Sequence, residues 1–182
     1  SATSSVITVS DEAKPVIVSA VTGDNNSDGT VDRLTLTFSE SVEITDGGSD
    51  NDITLAASTG SASITAGSYA TTASTLVYTI SGATAGNTSL TIDPTYAVSG
   101  AGIIKDASNN EMSNSETVSG SDGAAPVLLS ATYKDTNGNG TVNRIDAVYS
   151  EVITSSTFES GDWTFPANPA SLSVGSGAFS GS

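Results

Sequence analysis

The chain contains no cysteine, no histidine and no glutamine. Without cysteine there are no disulfides and no thiolate metal sites. Without histidine the commonest general base is missing, along with the usual zinc or copper ligand. Without glutamine the chain cannot form internal Cys–Gln thioester or Thr–Gln ester crosslinks. Cations are scarce: Lys14, Lys105, Lys134, Arg33 and Arg144 stand against 20 acidic residues, a formal net charge of −15. Nucleic-acid binding needs clustered Lys and Arg, so it is not expected, and anionic lipid headgroups are disfavoured for the same reason. No apolar run approaches the ~20 residues that cross a bilayer, so membrane insertion is not expected. No leader peptide is visible; a secretion signal of the parent protein is expected upstream of Ser1 or already removed.

What the chain does have is Ser, Thr, Gly, Ala, Val and Asp. The excess of acid suits cation binding, or solubility in salty or calcium-rich surroundings. One stretch uses its acids in a pattern. In Asp24-Asn25-Asn26-Ser27-Asp28-Gly29-Thr30-Val31-Asp32, oxygen donors fall at every second position: Asp24, Asn26, Asp28, Thr30 through its carbonyl, and Asp32. Gly29 occupies the place where an EF-hand loop turns sharply, and such a loop wraps a hard cation such as Ca²⁺. The bidentate Glu of an EF-hand is missing, since Thr35 stands at the twelfth position and a strand pattern follows. The loop therefore looks like a calcium loop of the DxDxDG type in a β setting. The strand parity of Asp32 aims its side chain at the loop. The competing reading is a metal-free Asn/Asp/Gly turn.

A second copy lies 111 residues on, with Asp135, Asn137, Asn139, Thr141 and Asn143 in the donor places. Asp135 is its only carboxylate, so its expected affinity for calcium is lower. Asp146 falls on the face of Arg144 and is not expected to be a ligand.

The flanks repeat at the same offset. "AKPVIVSA" aligns with "AAPVLLSA", and "VDRLTLTFSE" with "VNRIDAVYSE". Residues 4–11 fall on 115–122. The expected organisation is residues 1–12 as the last strand of a preceding repeat or a donor strand, 13–123 as a complete repeat, and 124–182 as the first half of another. That half is either truncated or completed by a neighbour. Leu34, Leu36 and Phe38 alternate with Arg33, Thr35 and Thr37, the period of a half-buried strand. Further strands are expected at 15–21, 52–56, 61–66, 75–80, 88–92 and 115–119, with 97–110 mostly loop. No helical period appears. The pattern predicts an all-β chain of immunoglobulin-like antiparallel sandwich repeats in tandem.

Other candidates carry less. Glu40 and Glu151 follow Ser at equivalent strand ends and read as solvated ends or extra calcium ligands. Glu40 with Glu43 has no aromatic platform for glycoside chemistry. Asp46, Asp50 and Asp52 read as a polar loop, and Asp106 to Asn110 as a turn. Trp163 aligns with Ile53 and reads as core rather than a sugar platform. Lys14 and Lys105 lack a recognisable buried triad for an isopeptide. No enzyme is expected.

The stretch "KPVIVSAVTGDNNSDGTVDRLTLTFSESV", with "GIIKDASNNEM" further on, resembles the bacterial immunoglobulin-like repeats of surface-layer proteins and large adhesins. The match covers 13–123 well and 124–165 partly. It implies an extracellular or cell-surface structural role, calcium as a rigidifying ion, and neighbouring repeats or copies as partners. It carries over no catalytic residue. A self-assembling filament or sheath subunit using strand exchange is one alternative. The other is an accessory carbohydrate-binding module of a secreted hydrolase, with cell-surface glycan as its partner.

Overall fold

The computed structural model describes residues 9–44, 53–68, 72–97, 103–154, 161, 163 and 164 of the 182-residue chain. The strands are β1 (Ile17–Gly23), β2 (Arg33–Ile44), β3 (Ile53–Ala57), β4 (Ser63–Ser68), β5 (Ala73–Ser81), β6 (Ile92–Tyr96), β7 (Ile104–Lys105), β8 (Glu116–Thr117), β9 (Gly120–Ser121), β10 (Leu128–Lys134) and β11 (Arg144–Tyr149). Among the described residues there is no α-helix.

β2 is the spine. Leu34, Leu36, Phe38 and Val42 are buried, while the residues between them are exposed or half-buried, as the alternation predicts. β1 pairs with one edge of β2 and β5 with the other, both antiparallel. The larger sheet runs β4-β5-β2-β1-β9. Between Thr37 and Val42 the β2–β5 register breaks, and the end of β2 pairs with β7 instead, Glu43 opposite Lys105 and Ile44 opposite Ile104. A second sheet runs β3-β6-β8. Its Ile53, Ile92 and Tyr96 share one buried cluster with Leu34, Leu36, Leu76, Tyr78 and Ile80 of the first sheet, a sandwich-like arrangement. Burying a side chain of this size contributes about 1.5–3 kcal/mol. The Tyr96 hydroxyl, deep in the core, accepts the Ile104 N–H at 3.1 Å.

β9 runs parallel to β1, with Ala20 opposite Gly120 and Val21 opposite Ser121. Gly120 is required there. A Cβ at this position would stand 2.0 Å from the Ile92 carbonyl oxygen, and the Gly120 N–H donates to Asp93 Oδ1 at 2.7 Å.

The hairpins β1–β2 and β10–β11 share one hydrogen-bond pattern at the 111-residue offset. Ile17 pairs with Phe38 and Leu128 with Tyr149, each followed by the same register shift. Val16 N–H donates to Ser39 Oγ at 3.1 Å, and Val127 N–H to Ser150 Oγ at 2.8 Å. Ser39 N–H returns to the Val16 carbonyl at 3.0 Å, and Ser150 N–H to that of Val127 at 2.9 Å. The second hairpin forms a two-stranded sheet whose Leu128, Tyr133 and Val148 are exposed.

Most expected strands lie within a few residues of those observed; one does not. Residues 88–91 form no strand, and the strand is Ile92–Tyr96. Local bonds intervene: Asn87 Oδ1 accepts both the N–H and the hydroxyl of Ser89, at 3.0 and 2.8 Å. The expected strand at 115–119 is only β8, broken off before β9, with Ser115 in the left-handed region at φ 67°. The expected donor strand at 4–9 lies outside the described residues except for Val9, as do Asp46, Asp50 and Asp52.

Candidate functional site

The β1–β2 loop closes on its own acids. Asp24 Oδ1 accepts the N–H groups of Ser27 at 2.7 Å and Asp28 at 3.3 Å, and Oδ2 accepts that of Gly29 at 2.8 Å. Asp28 Oδ1 takes the Thr30 N–H at 2.9 Å, and Oδ2 takes Asn26 Nδ2 at 2.9 Å. Asp32 Oδ1 takes the Asn25 N–H at 2.7 Å, so its side chain does point into the loop. Ser27 at φ 58° and Gly29 at φ 85° supply the left-handed turns.

The β10–β11 loop repeats this scheme. Asp135 accepts from Gly138 at 2.8 Å and from Gly140 at 2.6 Å, and Asn143 Oδ1 accepts from Thr136 at 3.0 Å. The Gly140 N–H holds the Asp135 carboxyl below the usual range; burial opposes this, and further N–H groups add to it.

By donor type, Asp24, Asn26, Asp28, Asp32 and the Thr30 carbonyl fit a hard cation. A carboxylate oxygen carrying one N–H bond keeps lone-pair capacity for a metal. In this conformation, however, the carboxylates serve as acceptors for the loop's own N–H groups.

The three acids that do come together are others. Among the described residues, the one set of three acidic side chains that brings one carboxylate oxygen from each within 4.8 Å of the others is Asp11, Glu40 and Asp106. Glu40 continues the inward parity of Leu34, Leu36 and Phe38 on β2, and it sits where β2 leaves β5 for β7. It is half-buried between Phe38 and Val42, not a solvated strand end. Asp11 comes from the segment before β1, and its Oδ1 accepts the Ala13 N–H at 3.0 Å. Asp106 lies in the turn after β7 and is 2% exposed. Its Oδ1 accepts the N–H groups of Ser108 at 2.8 Å and Asn110 at 2.7 Å, and its Oδ2 accepts Asn110 Nδ2 at 2.7 Å. The turn expected from Asp106-Ala107-Ser108-Asn109-Asn110 is thus present.

The electrostatics follow from this packing. Burial, then Asp106 and Asp11, push the Glu40 carboxyl above its ordinary value. Burial also pushes Asp106 upward, but hydrogen bonds from Asn110 and Ser108 outweigh it, leaving that carboxyl below the usual range. Among the described residues, the ion pairs are those of Asp146, with Lys134 at 2.5 Å and Arg144 at 2.6 Å. Asp146 therefore belongs with Arg144, as its strand face predicts, and the three converging acids have no cation.

At the 111-residue offset, Asp11 and Glu40 become Asp122 and Glu151. Asp122 Oδ1 accepts the Ala124 N–H at 3.0 Å, repeating the Asp11–Ala13 bond. Burial pushes the Glu151 carboxyl up; a hydrogen bond from Thr88 opposes this and Asp122 reinforces it. Thr88 lies between β5 and β6. It is fully buried, its hydroxyl lies 2.7 Å from Ser150 Oγ, and its N–H donates to the Ser150 carbonyl at 3.3 Å. Leu129 packs against the same end: a Cβ at Gly29 would stand 2.5 Å from one of its methyls, and one at Gly86 3.1 Å from the other.

The signal for Glu40 was present in the sequence. It continues the every-second-residue series of β2, and its partner Asp11 recurs as Asp122. Trp163 is half-buried, with Ile53 8% exposed in the core. Lys105 Nζ donates to Asn109 Oδ1 at 2.9 Å on the surface, which is not the buried setting that an isopeptide needs. No family model, no curated protein and no solved structure matches the chain.

Proposed function

We propose that this chain is a segment of a non-enzymatic, extracellular structural array, in which immunoglobulin-like β-sandwich units are joined end to end and stiffened by calcium. The observation that carries the reading is the junction. A hairpin with the same hydrogen bonds recurs 111 residues on, and its Leu129 and Ser150 are seated against Gly29, Gly86 and Thr88 of the preceding unit. A spacer needs this contact, because an array transmits bending through its junctions.

In this reading, calcium binds Asp24, Asn26, Asp28, Thr30 and Asp32. It binds more weakly at Asp135, Asn137, Asn139, Thr141 and Asn143, where one carboxylate replaces three. Gly29 of the stronger loop lies under Leu129, so ordering that loop also orders the contact. The partners are neighbouring repeats or copies, at a cell surface.

Small-angle scattering and thermal melting in Ca²⁺ and in EDTA test the reading. Chelation is expected to lower the melting temperature and widen the distribution of dimensions. Identical melting and scattering in both conditions would remove calcium from the proposal.

A strand-exchanging filament subunit is the second reading, favoured by the exposed Leu128, Tyr133 and Val148 of the two-stranded β10–β11 sheet. The residue in register with Gly120 is Val9, and a side chain cannot occupy the space that Gly120 fills beside Ile92. Donation of residues 4–9 in the manner of β9 is thereby disfavoured.

A further inference from the structure

We propose that the bulge of β1, where Val18 and Ser39 lie at the surface, is a docking face for the loop end of another unit of the same kind placed before it. The partner is defined by its chemistry: a β-sandwich end that presents two glycines in the left-handed region and a buried hydroxyl. The proposal rests on the reading of the chain as joined β-units, but not on the loops holding metal.

The second hairpin shows this face occupied. Its register slips between Leu128 and Ser130, which leaves Leu129 on a bulge. A bulge re-aims the side chain it carries. Leu129 thereby reaches Gly29 and Gly86, where added Cβ atoms would stand 2.5 and 3.1 Å from its methyls. Those glycines have φ 85° and 73°. Beside Leu129, the Ser150 hydroxyl lies 2.7 Å from that of Thr88, and the Ser150 carbonyl accepts the Thr88 N–H at 3.3 Å. Covered in this way, Ser150 is 5% exposed.

The first hairpin carries the same face uncovered. Its register slips between Ile17 and Ser19, which leaves Val18 on the equivalent bulge. Ser39 is held to Val16 by the two bonds that hold Ser150 to Val127. Yet Val18 is 55% exposed, and Ser39 is exposed where Ser150 is buried. The chain also enters the two hairpins alike, since Asp11 Oδ1 accepts the Ala13 N–H as Asp122 Oδ1 accepts that of Ala124.

The complementary half recurs as well. Gly140 repeats Gly29, at φ 84°, and its N–H donates to Asp135 as that of Gly29 donates to Asp24. A Cβ at Gly140 would meet nothing within 4 Å among the described residues. The first unit thus offers an uncovered face, and the second hairpin a loop with the seat glycine. Such a contact is head-to-tail, of the kind that repeats along a filament. Because a linker makes the docking intramolecular, a small contact suffices.

The test is the rate of maleimide labelling at single engineered thiols, in CaCl₂ and in EDTA; the chain has no cysteine of its own. Val18→Cys and Leu129→Cys are compared in the full chain. Val18→Cys is then placed in the downstream copy of a full chain whose residues 13–123 are duplicated in tandem. In the full chain, Val18→Cys is expected to label faster than Leu129→Cys. In the duplicated chain its rate is expected to fall to that of Leu129→Cys, in either condition. An unchanged Val18→Cys rate there, with Leu129→Cys still slow, would overturn the docking face and leave the joined-unit reading intact. Equally fast labelling at both positions of the full chain would overturn that reading together with the docking face. Circular dichroism melts confirm folding. If Val18→Cys does not fold, Ser39→Cys read against Ser150→Cys decides in the same way. A duplicated chain that does not fold would itself overturn the proposal, because the face would then not accept a unit before it.

Discussion

Gly120 lies on β9, where β6 passes close by, and there is no room there for a methyl group. Its missing Cβ would meet a carbonyl oxygen of β6, a backbone atom that cannot swing aside as a flexible side chain could. Gly120→Ala is therefore expected to destabilise the protein by about 1–3 kcal/mol, the usual cost of overpacking. For a chain of this length that corresponds to several degrees of melting temperature, about 2–4 °C per kcal/mol. Gly161→Ala is the control, since a Cβ there meets nothing within 4 Å among the described residues. Equal urea midpoints for the two variants would contradict the argument. Residues of this kind are hard to read in a sequence. Gly120 stands in a run of Ser, Gly and Asp that looks like any linker, and only the crossing of β6 makes it obligatory. Asp32 was easier, because its strand parity and its place in a loop of acids fix its direction together. Glu40 was harder: its parity was legible, but its partners Asp11 and Asp106 come from distant parts of the chain.

At the scale of elements, β2 was legible because Leu34, Leu36 and Phe38 state its inward face without ambiguity. The strand expected at 88–92 failed because Asn87 captures Ser89 locally and Thr88 turns to Ser150, so that stretch bonds to the end of the second hairpin instead of joining a sheet. The second hairpin has fewer buried contacts and relies more on charge. Asp146 lies between Lys134 and Arg144, whose hydrogen bonds hold its carboxyl down at about 2. A carboxyl depressed on folding contributes stability that is fully present above its unfolded value, near 3.9. That contribution is lost as pH falls through about 2. The side chains are 34–55% exposed, so solvent screening keeps the effect small. Acid titration followed by NMR should show β10–β11 amides loosening between roughly pH 4 and 2, with little further change in Asp146→Asn. An identical acid response in that variant would assign the loosening elsewhere.

For the molecule as a whole, the dominant fact is a net charge of −15 carried with five cations. Self-repulsion of that size works against compactness, and simple salt should relieve it by screening within a Debye length of about 8–10 Å near physiological ionic strength. A cation held at defined ligands acts differently, because it stabilises the folded state through mass action and adds to screening. The two effects separate when melting temperature is compared in NaCl, MgCl₂ and CaCl₂ at equal ionic strength. Screening alone predicts that stability follows ionic strength, with no preference between the two divalent chlorides beyond their charge. Ligation by irregular sets of carboxylate, amide, hydroxyl and carbonyl oxygen predicts a calcium curve that rises at much lower concentration. That curve should keep rising with the logarithm of free calcium above the dissociation constant. The calcium excess should shrink in the loop variant Asp24→Asn, Asp28→Asn, which removes two of the three carboxylates from the stronger loop. Coincident CaCl₂ and MgCl₂ curves would leave the acidity of this chain as a matter of solubility alone.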